Sequence, residues 1–471
     1  MIRRNIILII LAVGMAGIPQ SASWARGLDE PPNKNVEAAA KDADDEEKTA
    51  EDEKKEDEKE EDRYLAITGA VIHTVTQGVL YHHTLLVKNG KIHQIATTVK
   101  IPEEAELLDA AGYHLYPGLV AARSGGVLGG EPPEDNTNVF SLQMDLGLAG
   151  GITTAVTGNT AAHLTLGSVD DITIKRDLFE RITYSSKQPN ARRTLLNDFE
   201  KVRQYIRDLE QYRDEKKRDP DAEEPDKEWV KGKYEKYLKL LRGESVALIT
   251  ANDQHAILDV CDFVSRFGIQ AVVQGATEGW TVAAEMARAG LGAIITPRRR
   301  VASDDRLTRP NGSSIENAAI LYRHGVRLAV IPQTTGITLW GLAGRDLLQL
   351  NMEAAFAVRG GLSNEAALRA ITIDAARILG IDHRVGSVEV GKDADFALTD
   401  GDMLHYMTHV RWTVVNGRVV YDKQKDSLYR HIRPDGDEDA PPPDDYWPRQ
   451  LGADTTPRDD NTKKIGNAAK P

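Results

Sequence analysis

The chain has 471 residues, of which 41% are apolar and 28% charged, with a net charge of −13. That length and apolar share exclude a wholly disordered chain and supply core for one large domain with a smaller companion. The acidic balance excludes the basic footprint of a nucleic-acid binder. The charge is unevenly placed. Residues 29–62 hold 17 acidic and 6 basic residues, a segment net of −11 that leaves only −2 elsewhere.

In chain order, Arg3 and Arg4 precede an apolar run from Ile6 to Gly17, and Ser23 and Ala25 follow with signal-peptidase spacing. This layout predicts a signal peptide over 1–25 and export to the periplasm or beyond. The run is shorter than the roughly 20 residues of a spanning helix, so no membrane span is expected after cleavage. Residues 26–63, rich in Glu, Asp, Lys and Ala, read as a disordered acidic linker. From Tyr64 short alternating segments such as YLAITGAVIHTV predict strands, and Asn89-Gly90 is a hairpin signal because both residues tolerate positive φ. A second strand-rich piece carries Asn416-Gly417. Together 64–117 and 385–424 predict one composite β-sandwich built from both ends of the folded chain. Between them, over 118–384, the runs GITTAVTG, ESVALITAN, IQAVVQGAT, LGAIITP and VRLAVIP alternate with helical text such as QHAILDVCDFVSRFG. That rhythm predicts an α/β fold, a (β/α)8 TIM-like barrel beside the sandwich. An open doubly wound sheet is the runner-up, without a Gly-rich phosphate loop to support it. Residues 195–241 are polar, helical in period and broken between Pro220 and Pro225, which predicts a helical insert. Residues 425–471, with Pro441-Pro442-Pro443 and many Asp, read as a disordered tail. The lone cysteine, Cys261, lies in apolar helical text and is expected to be a buried, inert thiol.

The segments LLDAAGYHLYPGLV, GLAGGITTAV and ALRAITIDAARILGIDHRVGSVEVGKDADFALTDGDML resemble the amidohydrolase superfamily, and within it the imidazolonepropionase-like branch. The resemblance runs from about Tyr64 to Asp422. It implies metal-dependent hydrolysis of non-peptide C–N bonds, commonly in cyclic amides, at the C-terminal mouth of the barrel. Zinc or another divalent ion, held by His, Asp, Glu or carbamylated Lys, would bring the pKa of bound water down to about 7, and an aspartate would shuttle the proton.

The positions that the resemblance assigns to ligands hold other residue types. The His-x-His pair after Pro-Gly-Leu falls on Arg123 and Gly125. The fifth-strand His falls on Thr250, with Asn252 where a second His follows; the sixth-strand His falls on Gly275 and the eighth-strand Asp on Gln333. Guanidinium offers no lone pair and glycine no side chain. No metal site and no cofactor are therefore expected. Lys175, in ITIKRD, retains a family-like type and reads equally as an ordinary strand-end lysine. His163, in the loop-like text GNTAAHLTLG, and Glu278, after a candidate strand, complete the weak catalytic candidates. Glu278 reads either as an orienter of a ligand or as a helix cap.

The candidate ligand-binding residues are Arg123, Lys175, Thr250, Asn252, Arg298 and Gln333. With the run Arg298-Arg299-Arg300 they predict a cationic mouth suited to an anionic small molecule. The plain alternative has Arg123 filling vacated volume beside a local acid and the arginine run solvated. The preferred expectation is an exported amidohydrolase-like protein without its metal ligands. It would be an inactive, ligand-binding or partner subunit, working beside an active paralogue or as a homo-oligomer. The alternative is an active hydrolase of C–N bonds through a rebuilt or metal-independent site around His163, Lys175 and Glu278. A third reading is a scaffold acting through its acidic leader and tail.

Overall fold

A computed structural model describes residues 62–185, 187–338 and 345–425. The expected signal peptide, nearly all of the acidic linker and nearly all of the tail lie outside the described residues. Among the described residues, no helix is long and apolar enough to cross a membrane.

The first seven strands are β1 (Tyr64–Thr68), β2 (Val71–His73), β3 (Val79–Leu80), β4 (Thr84–Lys88), β5 (Lys91–Ala96), β6 (Glu106–Asp109) and β7 (His114–Pro117). One sandwich sheet has the order β5-β4-β1-β6. Asn89 and Gly90 turn between β4 and β5 with φ of 49° and 78°, the positive values that a two-residue hairpin requires.

The barrel wall follows. It comprises β8 (Leu119–Ala121), helices α1 (Pro133–Asn136) and α2 (Leu142–Ala149), then β9 (Ile152–Thr157), β10 (Thr160–His163), β11 (Thr173–Lys175) and β12 (Glu180–Ile182). Helices α3 (Pro189–Lys216) and α4 (Lys233–Leu241) lead to β13 (Ala247–Ala251), α5 (Gln254–Phe267), β14 (Ala271–Gly275), α6 (Ala283–Arg288) and β15 (Gly292–Ile295). The barrel ends with α7 (Asn317–Arg323), β16 (Arg327–Val330), α8 (Leu350–Arg359), α9 (Asn364–Ala370) and α10 (Ile373–Leu379). Strands β12 to β16 form a five-stranded parallel sheet, and β8 pairs in parallel with β9. Backbone contacts join the two pieces. Gly125 N donates to Thr335 O at 2.9 Å and Leu178 N to Asn159 O at 3.0 Å. Residues Val120, Ala122, Val156, Leu248, Val272, Ile294, Ala329 and Ile331 meet in one interior core, as alternation along each strand requires.

Two departures from a uniform βα rhythm appear. Strand β10 runs antiparallel to β9, in a tight turn at Gly158-Asn159, where the sequence reading expected a loop. Helix α10 packs against the barrel core through Ala375, Ala376, Ile378 and Leu379. The polar insert is helical and its first helix starts at Pro189. Its apolar positions Leu195, Phe199, Val202 and Tyr205 are buried, and Phe199 meets the Phe263 ring of α5 at 5.0 Å. Cys261 is buried on α5, and that burial pushes its thiol up to about 11.

The chain returns to the sandwich as β17 (Phe396–Thr399), β18 (Val410–Val415) and β19 (Arg418–Asp422), giving a second sheet of order β19-β18-β17-β7-β2-β3. Both ends of the folded chain thus build one sandwich around Leu65, Ile67, Leu85, Leu115, Phe396 and Val414.

A cationic mouth as the candidate functional site

At the end of β8 the inward residues Val120 and Ala122 give way to a bend at Arg123, secured by Ser124 N and Oγ, which both bond Val156 O. Arg123 is half-buried, and among the described residues no carboxylate lies within ion-pair distance of it. The plain alternative, an arginine paired with a local acid, is not what the structure shows. Thr250 lies two residues beyond inward Leu248 and is exposed. Asn252 Oδ1 accepts from Thr277 Oγ1 at 2.9 Å. Gly275 has φ of 106°, and a Cβ built there would collide with that same Asn252 Oδ1. A histidine at Gly275 would strain the backbone and force the Asn252 side chain to shift. Gln333 is exposed beyond the end of β16.

These residues do not fit a divalent cation. Arg123 has no lone pair to offer, Gly125 and Gly275 have no donor, and Thr250 and Gln333 supply only neutral oxygens. Among the described residues, no group of three His, Cys, Asp or Glu side chains is arranged to hold a metal ion.

A cavity of about 800 Å³ opens between the β15–α7 connection, the end of β16 and one face of α8. Arg298, Arg299, Arg300, Arg345 and Arg359 line it, with Gln333, Phe356, Ser303 and Ser313. Among the described residues, Glu353 is its one lining carboxylate. That carboxylate is fully buried and already spent: it accepts Arg298 N at 2.8 Å and Arg298 Nε at 2.6 Å. The Arg298 guanidinium also lies 4.9 Å from the Phe356 ring centroid, and its Nη2 is buried without an acceptor among the described residues. The floor is therefore a fixed guanidinium, and four further arginines surround it with no second acid among the described lining residues to neutralise them. A smaller cleft lined by Gly275, Thr277 and Thr296 shares Arg299, Ser313 and Ser314 with this cavity, extending it towards the end of β14.

Of the six expected ligand-binding residues, Arg298 and Gln333 line this cavity; Arg123, Lys175, Thr250 and Asn252 do not. The sequence reading missed Arg345, Arg359 and Glu353. On α8, Glu353, Phe356 and Arg359 recur every three residues, a helical spacing that marks one face. Arg345 carried no local signal.

The three weak catalytic candidates are not brought together. His163 ends β10, which runs down the wall, and its buried ring is set between two buried carboxylates. Nδ1 is 3.0 Å from Asp395 Oδ2 and Nε2 is 3.5 Å from Asp393 Oδ2. The nitrogens sit off the hydrogen-bonding direction, so the contact is chiefly electrostatic. Lys175 points its ammonium at Leu379 O (3.4 Å) and Gly380 O (3.3 Å), the C-terminal carbonyls of α10, where a cation suits the helix dipole. Glu278 is buried as a bracket: Oε1 accepts Gly312 N at 2.7 Å, and Oε2 accepts Gln254 N at 2.9 Å and Arg309 Nη1 at 3.0 Å. Burial raises its pKa and these three donors outweigh that, so it is held below its ordinary value. It caps the first turn of α5 rather than facing a ligand.

Comparison with known proteins agrees with the architecture. The sequence profile of the Amidohydrolase family matches residues 279–429. Imidazolonepropionase from Shewanella frigidimarina is 52% identical over 54 residues, 12% of each chain. Imidazolonepropionase from Sphingopyxis alaskensis is 33% identical over 100 residues, 21% of this chain and 24% of that one. The chain therefore matches less than a quarter of the length of either relative. An amidohydrolase structure from Thermotoga maritima MSB8 superposes with a TM-score of 0.61 at 22% identity, covering 76% of this chain and 100% of that one. Over residues 279–429 the chain is thus similar to the Amidohydrolase family, its short matched segments are similar to imidazolonepropionases, and its barrel with composite sandwich has the fold of the amidohydrolase structure.

Proposed function

We propose that the protein binds an anionic small molecule at the barrel mouth and does not use metal-made hydroxide to hydrolyse C–N bonds. The observation that carries this reading is the 800 Å³ cavity with five arginines against one carboxylate among its described lining residues, itself neutralised by Arg298. The volume falls in the range of small-molecule sites, and planar guanidinium groups suit carboxylate and phosphate oxygens. The donor chemistry at Arg123, Gly125, Thr250, Gly275 and Gln333 supports the second half of the reading. The family profile begins at residue 279, so the first four of those positions lie outside it. In the same reading, the leader text supports export, and a binding role accommodates an active paralogue or a second copy of this chain as partner.

The curated relatives carry the name of a hydrolase, which motivates the competing reading of a rebuilt site. His163, Lys175 and Glu278 are each committed to separate structural contacts, which argues against that particular site.

Titration calorimetry of the purified protein with mono-, di- and tricarboxylates and with phosphate esters tests the proposal. At least one anion should bind with strong salt dependence, and Arg345→Glu together with Arg359→Glu should weaken it tenfold or more. Stoichiometric zinc with chelator-sensitive amidase activity, or anion affinity indifferent to both substitutions, would overturn it.

A further inference from the structure

The connection between β15 and α7 builds one lip of the arginine-lined cavity, and backbone bonds brace it. Ser313 N donates to Val301 O at 3.0 Å, and Val301 N donates to Ser313 Oγ at 2.9 Å. One residue earlier, Gly312 N donates to Glu278 Oε1 at 2.7 Å and Gly312 O accepts Trp280 Nε1 at 3.0 Å. Gly360, which ends α8, lies against Ile315 O, where a Cβ would collide with that oxygen. Val301 and Ile315 are thus presented on backbone that is tied down on both sides.

The side chains on this lip are apolar and open. Val301 is 43% exposed and Ile315 50%, Ala302 is exposed beside them, and all three line the cavity. Singly exposed apolar residues are ordinary. These share one space with Arg299, Arg345 and Arg359, so hydrocarbon and guanidinium surface face the same volume. A small, wholly polar anion would leave Val301 and Ile315 in water. Only a ligand that carries hydrocarbon beside its charge releases that water.

We propose that the cavity takes an amphipathic anion, with a phosphate-type head among the arginines and an aliphatic chain along Val301, Ala302 and Ile315. This deepens the anion reading and rests on it, by naming the class of ligand. Once Arg298 is matched to Glu353, four lining arginines remain, which suits a doubly charged head better than a monocarboxylate. A volume of about 800 Å³ has room for both parts of such a molecule.

The test titrates the full chain with butyl, hexyl and octyl phosphate below their micelle concentrations, and with glycerol phosphate, which pairs the same head with a polar body. A fully buried methylene is worth about fourfold in affinity; along an open lip about 1.5-fold each is expected, so octyl phosphate should bind about fivefold more tightly than butyl phosphate. The heat capacity change of binding should grow more negative with chain length. Val301→Ser with Ile315→Ser should bring the octyl-to-butyl ratio below about twofold, since the chain loses its apolar partners. Leu307→Ser, at an exposed position of the same connection that does not line the cavity, should keep the full ratio. The wild-type series decides by itself if the double variant does not fold. Equal affinity for butyl and octyl phosphate, a ratio that persists in the Val301→Ser/Ile315→Ser chain, or one lost equally in Leu307→Ser would overturn the inference and leave the anion reading standing. Failure of every probe to bind, glycerol phosphate included, would overturn the anion reading and this inference with it.

Discussion

Replacing His163 by Asn should expose how much the fold depends on one buried charge. The ring lies 3.0 Å from Asp395 and 3.5 Å from Asp393, and Asp393 also receives Arg384 Nε at 2.8 Å and the ammonium of Lys91. Burial by itself lowers the histidine pKa, but the two carboxylates overcome it and carry the group up to about 9. Asp393 shows the matching effect: burial raises it, and His163, Lys91 and Arg384 bring it down to about 2. From an unfolded value of about 6.5, the histidine shift corresponds to roughly 3 kcal/mol. Because the folded pKa is raised, that stability is fully present below about pH 6.5 and is lost as pH climbs through the folded value. Between pH 7 and 8.5 the wild-type slope from this group should be roughly −1 kcal/mol per pH unit. The His163→Asn chain would keep two buried carboxylates without their cation, a loss of about 3 kcal/mol near pH 6.5 that shrinks as pH rises. Urea unfolding at pH 6.5, 7.5 and 8.5 at fixed ionic strength measures both slopes. Cys261 titrates only above this window and is common to both chains. If wild type and His163→Asn show parallel pH profiles over that window, the ring is neutral in the fold and the reasoning is wrong.

Two further outcomes follow from local geometry. Gly275→His, which installs the residue type that the resemblance implies, should cost about 2 kcal/mol or more through positive φ and the Asn252 contact. Equilibrium dialysis should find no zinc retained, and a stable zinc-loaded variant would refute the fit argument made for the mouth. Lys175→Met should lower stability by roughly 1 kcal/mol through loss of the α10 terminal contacts. Calorimetry should show anion binding unchanged, and a tenfold loss would return Lys175 to the ligand-binding set.

Much of the architecture was legible because its signals are local. Alternating apolar runs mark β9, β13, β14, β15 and β16, and the Asn-Gly pairs at 89–90 and 416–417 adopt positive φ, as their chemistry favours. The same logic misread 158–163. Gly158-Asn159 is a tight turn and the short run behind it is strand β10, so His163 points away from the mouth. Nothing near His163 in sequence announces its partners, which arrive 230 and 232 residues later at Asp393 and Asp395. The cavity was half legible for a related reason. Arg298 and Gln333 were reached through strand ends, whereas Arg345 and Arg359 converge on them only through tertiary folding.

The sandwich joins Pro117 of β7 to Phe396 of β17, and the barrel core is completed by a helix that begins only at Ile373. Neither half can be finished early. While the chain emerges from the ribosome, β7 lacks the strand it pairs with, and the growing wall lacks the helix that completes its core. Contacts this remote in sequence make for slow closure, and until the last hundred residues arrive the protein must live as an unsealed shell with sticky rims.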